Sequence, residues 1–189
     1  MVYVLLAEGF EELEALAPVD ILRRGGIEVR TVGITGKTVC GSHGIPVIAD
    51  ILPDEVGDDM EMLVFPGGLP GSDHLHNAEA TDRLIAMAKE KDAHIAAICA
   101  APYILGLRGL LEGKRATSYP DDTFRSRLLG ADVCGERVVT DGKITTGIGM
   151  GAAQEFGLRL LALLCGKEAA EKIAKGALIT SAEDAITCP

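Results

Sequence analysis

The sequence contains no tryptophan and few other aromatic residues. Phe and Tyr together make up 4% of its 189 residues, whereas the hydrophobic fraction is 48%. Proteins that bind single-stranded nucleic acids commonly stack the bases on exposed aromatic side chains. The composition therefore predicts a core of aliphatic residues and argues against a stacking platform for nucleic acid.

The chain also lacks a basic cluster that would offset its acidic residues. It has 28 Asp and Glu against 18 Lys and Arg, for a formal net charge of −10. A surface of that sign repels phosphate backbones and anionic lipids. There is no basic leader, and the longest uncharged stretch, residues 93–107, is shorter than the roughly 18 residues of a membrane helix. We expect a soluble cytoplasmic protein with no nucleic acid or membrane partner.

The cysteines are few, odd in number and widely spaced. No Cys-x-x-Cys pair occurs, and the histidines show no metal-ligand spacing with the cysteines. This pattern argues against zinc ribbons and disulfide frameworks, and we expect reduced thiols and no metal. The five positions are Cys40, Cys99, Cys134, Cys165 and Cys188.

Strand-like and helix-like segments alternate along the chain. Such alternation indicates an α/β domain with a mostly parallel sheet, whose ligands lie beyond the carboxyl ends of the strands. Predicted strands cover residues 2–7, 27–32, 62–65, 94–98 and 115–117, with hairpins over 38–49 and 138–146. Predicted helices cover residues 11–24, 81–91, 102–107, 151–164 and 167–175.

Residues 94–102, His-Ile-Ala-Ala-Ile-Cys-Ala-Ala-Pro, predict a buried strand that ends in the thiol of Cys99 just before a helix. At such a corner, free backbone N–H groups and the helix dipole favour the thiolate. We therefore expect a lowered pKa for Cys99 and a nucleophilic role. The alternative is an inert buried thiol, since free cysteine is among the most buried residue types.

Four acidic residues, Glu8, Glu11, Glu12 and Glu14, crowd the end of the first strand and the start of the first helix. Solvated carboxylates that complement the helix dipole are the simpler interpretation. Glu14 is followed by Ala-Leu-Ala, so we expect it to point inward while Glu11 and Glu12 face water. Burial beside a thiolate would raise its pKa and suit it to proton transfer.

Two glycine-rich segments need a separate interpretation. The loop Phe65-Pro-Gly-Gly-Leu-Pro-Gly71 can turn backbone N–H groups toward a developing oxyanion, and it lacks the Lys and Ser/Thr of a phosphate-binding loop. Residues 147–152, Gly-Ile-Gly-Met-Gly-Ala, match a dinucleotide pattern, but no further strand follows. We interpret this segment as a close turn into a helix.

The histidines His74 and His76 lie in neither segment, and we expect both in a surface loop.

Several motifs in order resemble the ThiJ/PfpI superfamily, and most nearly its DJ-1/YajL branch. The resemblance implies a flavodoxin-like (Rossmann-type) three-layer α/β sandwich, related to class I glutamine amidotransferases, as one domain over residues 1–189. It further implies a homodimer. The motifs are Ala-Glu-Gly-Phe-Glu-Glu-Leu-Glu at 7–14, Pro-Val-Asp-Ile-Leu-Arg-Arg at 18–24, Phe-Pro-Gly-Gly at 65–68, Ala-Ala-Ile-Cys-Ala-Ala-Pro at 96–102 and Gln-Glu-Phe-Gly at 154–157.

The same resemblance implies a site in which an oxidation-sensitive Cys99 lies beside a protonated Glu14. This chain departs from the family at two positions: Tyr119 stands where many relatives have histidine, and His43 where the branch often has arginine. The peptidase branch has histidine directly after its cysteine, where this chain has alanine. The implied backbone donors are Gly68 and Ala100, and the implied pocket residues are Gly67, Tyr119, Arg24 and His43.

The function implied by this resemblance is a cofactor-independent glyoxalase or deglycase acting through Cys99 and Glu14. Its substrates would be small 2-oxoaldehydes such as methylglyoxal, or early glycation adducts of side chains. The alternative is a redox-responsive stress protein or chaperone with an oxidisable Cys99. Ala100 argues against a peptidase, and the missing phosphate loop argues against a role in thiazole biosynthesis.

Overall fold

The structure, a computed structural model that describes residues 1–179, alternates strands and helices as the sequence pattern predicts. The strands are β1 Val2–Leu6, β2 Val29–Gly33, β3 Thr38–Cys40, β4 Pro46–Ile48, β5 Met62–Phe65, β6 His94–Ile98, β7 Arg115–Ala116, β8 Asp132–Val133, β9 Val138–Asp141 and β10 Ile144–Gly147. The helices are α1 Glu12–Arg24, α2 Gly71–Asn77, α3 Glu79–Glu90, α4 Pro102–Gly106, α5 Asp122–Arg125, α6 Ala153–Cys165 and α7 Lys167–Gly176.

Six strands form one sheet in the order β2-β1-β5-β6-β10-β9. The first five strands in this order pair in parallel, and only β9 pairs antiparallel, through the tight turn that joins it to β10. Strands β3 and β4 form a separate hairpin. The mostly parallel sheet agrees with the prediction.

The sheet is covered on both faces, which explains why its central strands are apolar throughout. In β1, Val2 and Val4 pack into the core that contains α1 and α6, whereas Tyr3 and Leu5 pack into the core that contains α3 and α4. This alternation follows from the two-residue period of a strand. The resulting arrangement is helix layer, sheet and helix layer, the expected three-layer sandwich.

Helices α1 and α6 pack closely at Gly157. A Cβ atom added at Gly157 would lie 3.0 Å from both Ile21 Cδ1 and Pro18 Cα. Pro18 lies inside α1 at this contact, and α1 continues past it to Arg24.

The carboxyl ends of β1, β5, β6 and β10 are neighbours in the sheet because these four strands are adjacent and parallel. The loops that follow them begin at residues 7, 66, 99 and 148, so they meet at one edge. Ligands of open parallel sheets bind at such an edge. The fold thus brings together four segments that are far apart in the sequence.

Helices α2 and α5 were not predicted. The prediction that His74 and His76 lie in a loop is wrong, because both belong to α2. This short helix shows no apolar period, and its first turn is held by a bond from Ser72 N–H to the carbonyl of Gly68. Within the described residues, no helix is long and apolar enough to cross a membrane.

Candidate active site

Cys99 follows β6 immediately and has an unusual backbone conformation. Its φ of +64° lies in the left-handed region, which costs a non-glycine residue on the order of 1–3 kcal/mol and recurs at active sites. Two bonds hold it there: its N–H donates to the Gly147 carbonyl and its carbonyl accepts from Tyr119 N–H, both at 2.8 Å. The corner is therefore fixed by β10 on one side and by the segment after β7 on the other.

Glu14 lies in the first turn of α1 and is fully buried, with 0% of its surface exposed. Its Oε2 accepts the N–H of Gly67 at 2.9 Å. The thiol of Cys99 and the N–H of Met150 also face this carboxyl group, whose Oε1 is buried without a hydrogen-bond partner of its own. Glu14 thus joins α1 to three of the loops at the carboxyl edge of the sheet.

The neighbouring acidic residues have different environments. The prediction that Glu12 faces water is wrong: it is only 5% exposed, because the hairpin of β3 and β4 covers it. His43 donates its backbone N–H to Glu12 at 2.8 Å, and its Nδ1 lies 2.9 Å from the carboxylate. Burial acts to raise the pKa of Glu12, but the bonds from His43 outweigh it and lower that pKa. The hydrogen bond to Glu12 in turn raises the pKa of His43.

Burial is also the main influence on the pKa values of Glu14 and Cys99, the two groups of the candidate pair. It raises the pKa of Glu14 to about 7, with the charge of Glu11 acting in the same direction and the hydrogen bonds from Cys99, Gly67 and Met150 acting against it. Such a carboxyl group can gain or lose a proton near neutral pH, as an acid and base must.

The prediction of a lowered pKa for Cys99 is wrong, because burial and the adjacent Glu14 raise the pKa of this thiol. The N–H groups of Ala100 and Gly68 act in the opposite direction. Helix α4, whose dipole motivated the prediction, is only five residues long. Burial is the largest influence on the pKa of the thiol, and the nearby carboxyl group of Glu14 acts in the same direction.

Glu14 and Cys99 consequently titrate as a coupled pair. Loss of the first proton leaves one negative charge on the pair, in equilibrium between a carboxylate beside a thiol and a thiolate beside a carboxylic acid. The second arrangement contains the nucleophile. Cys99 is thus a nucleophile only while Glu14 holds the proton, and the N–H groups of Gly68 and Ala100 face the sulfur in that state.

Gly67 and Gly68 allow this close approach in different ways. A Cβ atom at Gly67 would lie 2.6 Å from Glu14 Oε2 and 2.7 Å from Cys99 Cβ, so no side chain fits between the pair. Gly68 has a φ of +89°, which only glycine adopts readily, and this conformation directs its N–H to the thiol.

Tyr119 and Gly149 border the outer side of the thiol. A Cβ atom at Gly149 would meet Tyr119 Cδ2 at 3.6 Å and Cys99 Sγ at 3.9 Å, so the missing side chain leaves space beside the sulfur. The sequence analysis did not assign Gly149 or Met150 to the site. Their position directly after β10, at the same sheet edge as Cys99, was the signal that could have identified them.

Arg24 and His43 are not brought to the sulfur within this chain. Arg24 is the last residue of α1, about 15 Å along the helix axis from Glu14, and its Nε donates to Asp20 at 2.6 Å. The prediction of Arg24 as a pocket residue is therefore wrong for the single chain. His43 lies on the hairpin and bonds to Glu12 rather than to Cys99.

One group of side chains in the described part has the composition of a metal site. Donor atoms of Glu11, Glu12 and His43 all lie within 4.8 Å of one another. These atoms already bond to protein groups, since Glu11 Oε2 accepts the N–H of Glu14 at 2.7 Å and Glu12 binds the hairpin. We assign no metal to this group.

Comparison with other proteins identifies the family of this chain. The sequence matches the DJ-1/PfpI family over residues 1–163. The chain belongs to the DJ-1/PfpI family. The chain is 37% identical to the Drosophila melanogaster protein dj-1beta over 180 residues, which cover 93% of this chain and 95% of that protein.

Other members of the DJ-1/PfpI family differ in length and name. DJ-1 homolog A of Arabidopsis thaliana is 39% identical over 177 residues and 91% of this chain, but the match covers only 45% of the plant protein. The chain thus spans less than half of that relative. A Pyrococcus abyssi protein named a deglycase is 34% identical over 145 residues, which cover 75% of this chain and 85% of that protein.

Solved structures of family members share the fold. A DJ-1 superfamily protein from Salmonella typhimurium has a TM-score of 0.88 at 33% identity, with 94% of this chain and 97% of that chain covered. A structure described as Toxoplasma gondii DJ-1, oxidized, has a TM-score of 0.86 at 35% identity, with 95% and 98% covered. The flavodoxin-like sandwich is therefore the fold of this chain.

Adding one methyl group at position 67 should separate the pair. We expect Gly67→Ala to slow alkylation of Cys99 by iodoacetamide at least about tenfold and to destabilise the fold by about 1–3 kcal/mol, because the added atom overlaps Glu14 and Cys99. Peptide mass analysis of the alkylated protein measures the rate. Gly135→Ala is the matched control, since a Cβ there meets no atom within 4 Å. Equal rates in the two variants would contradict the assigned geometry.

The raised pKa of Glu14 should make the fold less stable as pH rises. Its folded pKa of about 7 exceeds the reference value of 4.5, so its contribution is fully present below 4.5 and is lost as pH rises toward 7. We expect the stability of the wild type minus that of Glu14→Gln to fall by roughly 3 kcal/mol between about pH 5 and about pH 8. Urea unfolding at both values measures the difference. A difference independent of pH would contradict the buried, protonated state.

Proposed function

We propose that this protein is a cofactor-independent glyoxalase or deglycase that uses Cys99 as nucleophile and Glu14 as proton carrier. The observation that carries the proposal is the contact between the Cys99 thiol and a buried carboxyl group whose pKa burial raises to about 7. The relative from Pyrococcus abyssi that is named a deglycase supports the same class of reaction.

The first step is addition of the thiolate to an aldehyde. Cys99 Sγ forms a bond to the aldehyde carbon of methylglyoxal, and the C=O π electrons become an oxygen anion. The N–H groups of Gly68 and Ala100, which face the sulfur before reaction, are suited to stabilise that anion. Glu14, protonated while the thiolate exists, donates its proton to the oxygen and becomes a carboxylate. The product is a hemithioacetal.

The second step moves a proton between adjacent carbon atoms. The Glu14 carboxylate takes the proton from the carbon bonded to sulfur, and the neighbouring carbonyl oxygen becomes an enediolate oxygen that takes a proton from a water molecule and leaves hydroxide. Glu14 then gives its proton to the second carbon, while the hydroxyl group on the first carbon loses its proton to that hydroxide and becomes the thioester carbonyl. Water breaks the carbon–sulfur bond, which releases lactate and restores the thiol.

The two reaction steps involve no net oxidation, since methylglyoxal and one water molecule give lactate and a proton. They therefore need no redox cofactor, in line with the proposal that none is used. Early glycation adducts of Cys, Arg or Lys side chains release the same aldehyde or present the same carbon atoms. Deglycase and glyoxalase activity would then be two readouts of one site.

The proposed surroundings of the protein rest on two further observations. Cys40, Cys99, Cys134 and Cys165 are free, which supports a reducing, cytoplasmic compartment.

Exposed apolar side chains at Leu13, on α1, and at Ile45 and Ile48, on the adjoining hairpin, support a homodimer. Light scattering tests the homodimer: we expect a mass of about twice the monomer value of 19.8 kDa. A monomer at micromolar concentration would contradict the homodimer.

Purified protein should form lactate from methylglyoxal without glutathione or added metal. We expect Cys99→Ser and Glu14→Gln each to lower the rate at least about 100-fold, because one removes the nucleophile and the other the proton carrier. Cys165→Ser, which removes an exposed thiol, should retain the wild-type rate. Absence of lactate with folded wild type and a reduced Cys99 would contradict the proposal.

The second candidate function is a redox-responsive protein in which Cys99 is oxidised to sulfinic acid. The solved structure of an oxidised DJ-1 from Toxoplasma gondii favours it, and a protonated Glu14 is suited to donate a hydrogen bond to a sulfinate oxygen. Peroxide titration with mass analysis should then oxidise Cys99 before the other cysteines and stop at two added oxygens. In Glu14→Gln, a larger share of Cys99 should be oxidised beyond two added oxygens. Equal oxidation of all cysteines would contradict this function.

A further inference from the structure

Arg137, which precedes β9, holds both ends of the loop that follows β10. Its backbone carbonyl accepts the N–H of Ile148 at 2.9 Å. Its Nη2 donates to the carbonyl of Gly151 at 2.5 Å. One residue thus binds the loop before and after the two positions, Gly149 and Met150, that lie at the candidate active site.

Glu155, in the first turn of α6, fixes the guanidinium group in this position. Arg137 Nε lies 2.8 Å from Glu155 Oε2 and 3.0 Å from Oε1. Glu155 is buried, so Arg137 also provides the charge partner that a buried carboxylate requires. The ion pair is therefore anchored to a helix that packs on the sheet, and its geometry does not depend on the loop alone.

The middle of the loop reaches both members of the catalytic pair. Gly149 borders the space beside Cys99 Sγ, and the N–H of Met150 faces the Glu14 carboxyl group, whose buried Oε1 has no hydrogen-bond partner of its own. The loop alternates glycine with other residues from Gly147 to Gly151, and such a segment has little conformational preference of its own. Contacts from outside the loop must therefore keep the Met150 N–H in place.

We propose that Arg137 is a positioning residue that, with Glu155, holds the Met150 N–H against the carboxyl group of Glu14. Neither residue contacts Cys99, and neither contacts Glu14. The proposal rests on the Glu14–Cys99 pair of the proposed function, but it does not depend on which substrate the pair attacks.

The test follows the reactivity of Cys99 against pH. The groups that face Glu14 are the thiol of Cys99, the carboxylate of Glu11 on its own helix, and the N–H groups of Gly67 and Met150. Loss of the Met150 donor destabilises the anionic pair, so the pH at which Cys99 becomes reactive rises. We expect Arg137→Gln to shift the midpoint of iodoacetamide alkylation upward by roughly one pH unit.

Two further variants are compared with Arg137→Gln for the shift of the alkylation midpoint. Arg137→Lys keeps a charged donor and should shift the midpoint by less than Arg137→Gln. Arg115→Gln is the matched control: Arg115 pairs with Glu136, the residue before Arg137, in an exposed ion pair. This control should keep the wild-type midpoint. Peptide mass analysis separates Cys99 from the other cysteines in each case.

A wild-type midpoint in folded Arg137→Gln overturns the proposal, as does a shift of equal size in Arg115→Gln. If Arg137→Gln does not fold, Glu155→Gln replaces it, since it removes the carboxylate that fixes the guanidinium group, and an unshifted midpoint there also overturns the proposal. Because alkylation needs no aldehyde substrate, this result is separate from the lactate assay. A shifted midpoint without lactate formation would keep the positioning role and reject the aldehyde reaction.

Discussion

The close approach of the Cys99 thiol and the buried Glu14 carboxyl group is the interaction on which the rest of this site depends. Two acidic groups in contact cannot both ionise without a large electrostatic penalty, so they share protons and act as one unit. The surrounding structure serves this unit. Gly67 leaves room for the contact, and backbone N–H groups from three loops stabilise whichever atom carries the charge.

The parallel sheet supplies what the pair needs because it places unrelated loops at one edge. Glu14 comes from the helix after β1, Gly67 from the loop after β5, Cys99 from the corner after β6 and Met150 from the loop after β10. A left-handed Cys99 and a buried carboxyl group both destabilise the fold locally. Apolar strands covered on both faces offset that loss elsewhere in the domain.

Departures from the family pattern occur around the pair rather than within it. Tyr119 borders the sulfur with a ring and has no imidazole nitrogen to act as a base, so Glu14 is the titratable group that the structure places against Cys99. His43 is bound to Glu12 on the hairpin, where its ring and backbone N–H contact a buried carboxylate instead of facing the thiol. In the proposed reaction, Glu14 therefore holds the proton while Cys99 is a thiolate and then donates it to the substrate.

The sequence by itself determined the α/β class, most of the strands and the choice of Cys99 and Glu14, because apolar periodicity and strand-to-helix corners are local properties of the chain. Only the tertiary structure decided the burial of Glu12, the contact of His43 with Glu12 and the direction in which the pKa of Cys99 shifts. These depend on contacts such as that of Glu14 with Gly67, which lies 53 residues away. Desolvation and charge act through space, so no local pattern encodes them before the loops are packed together.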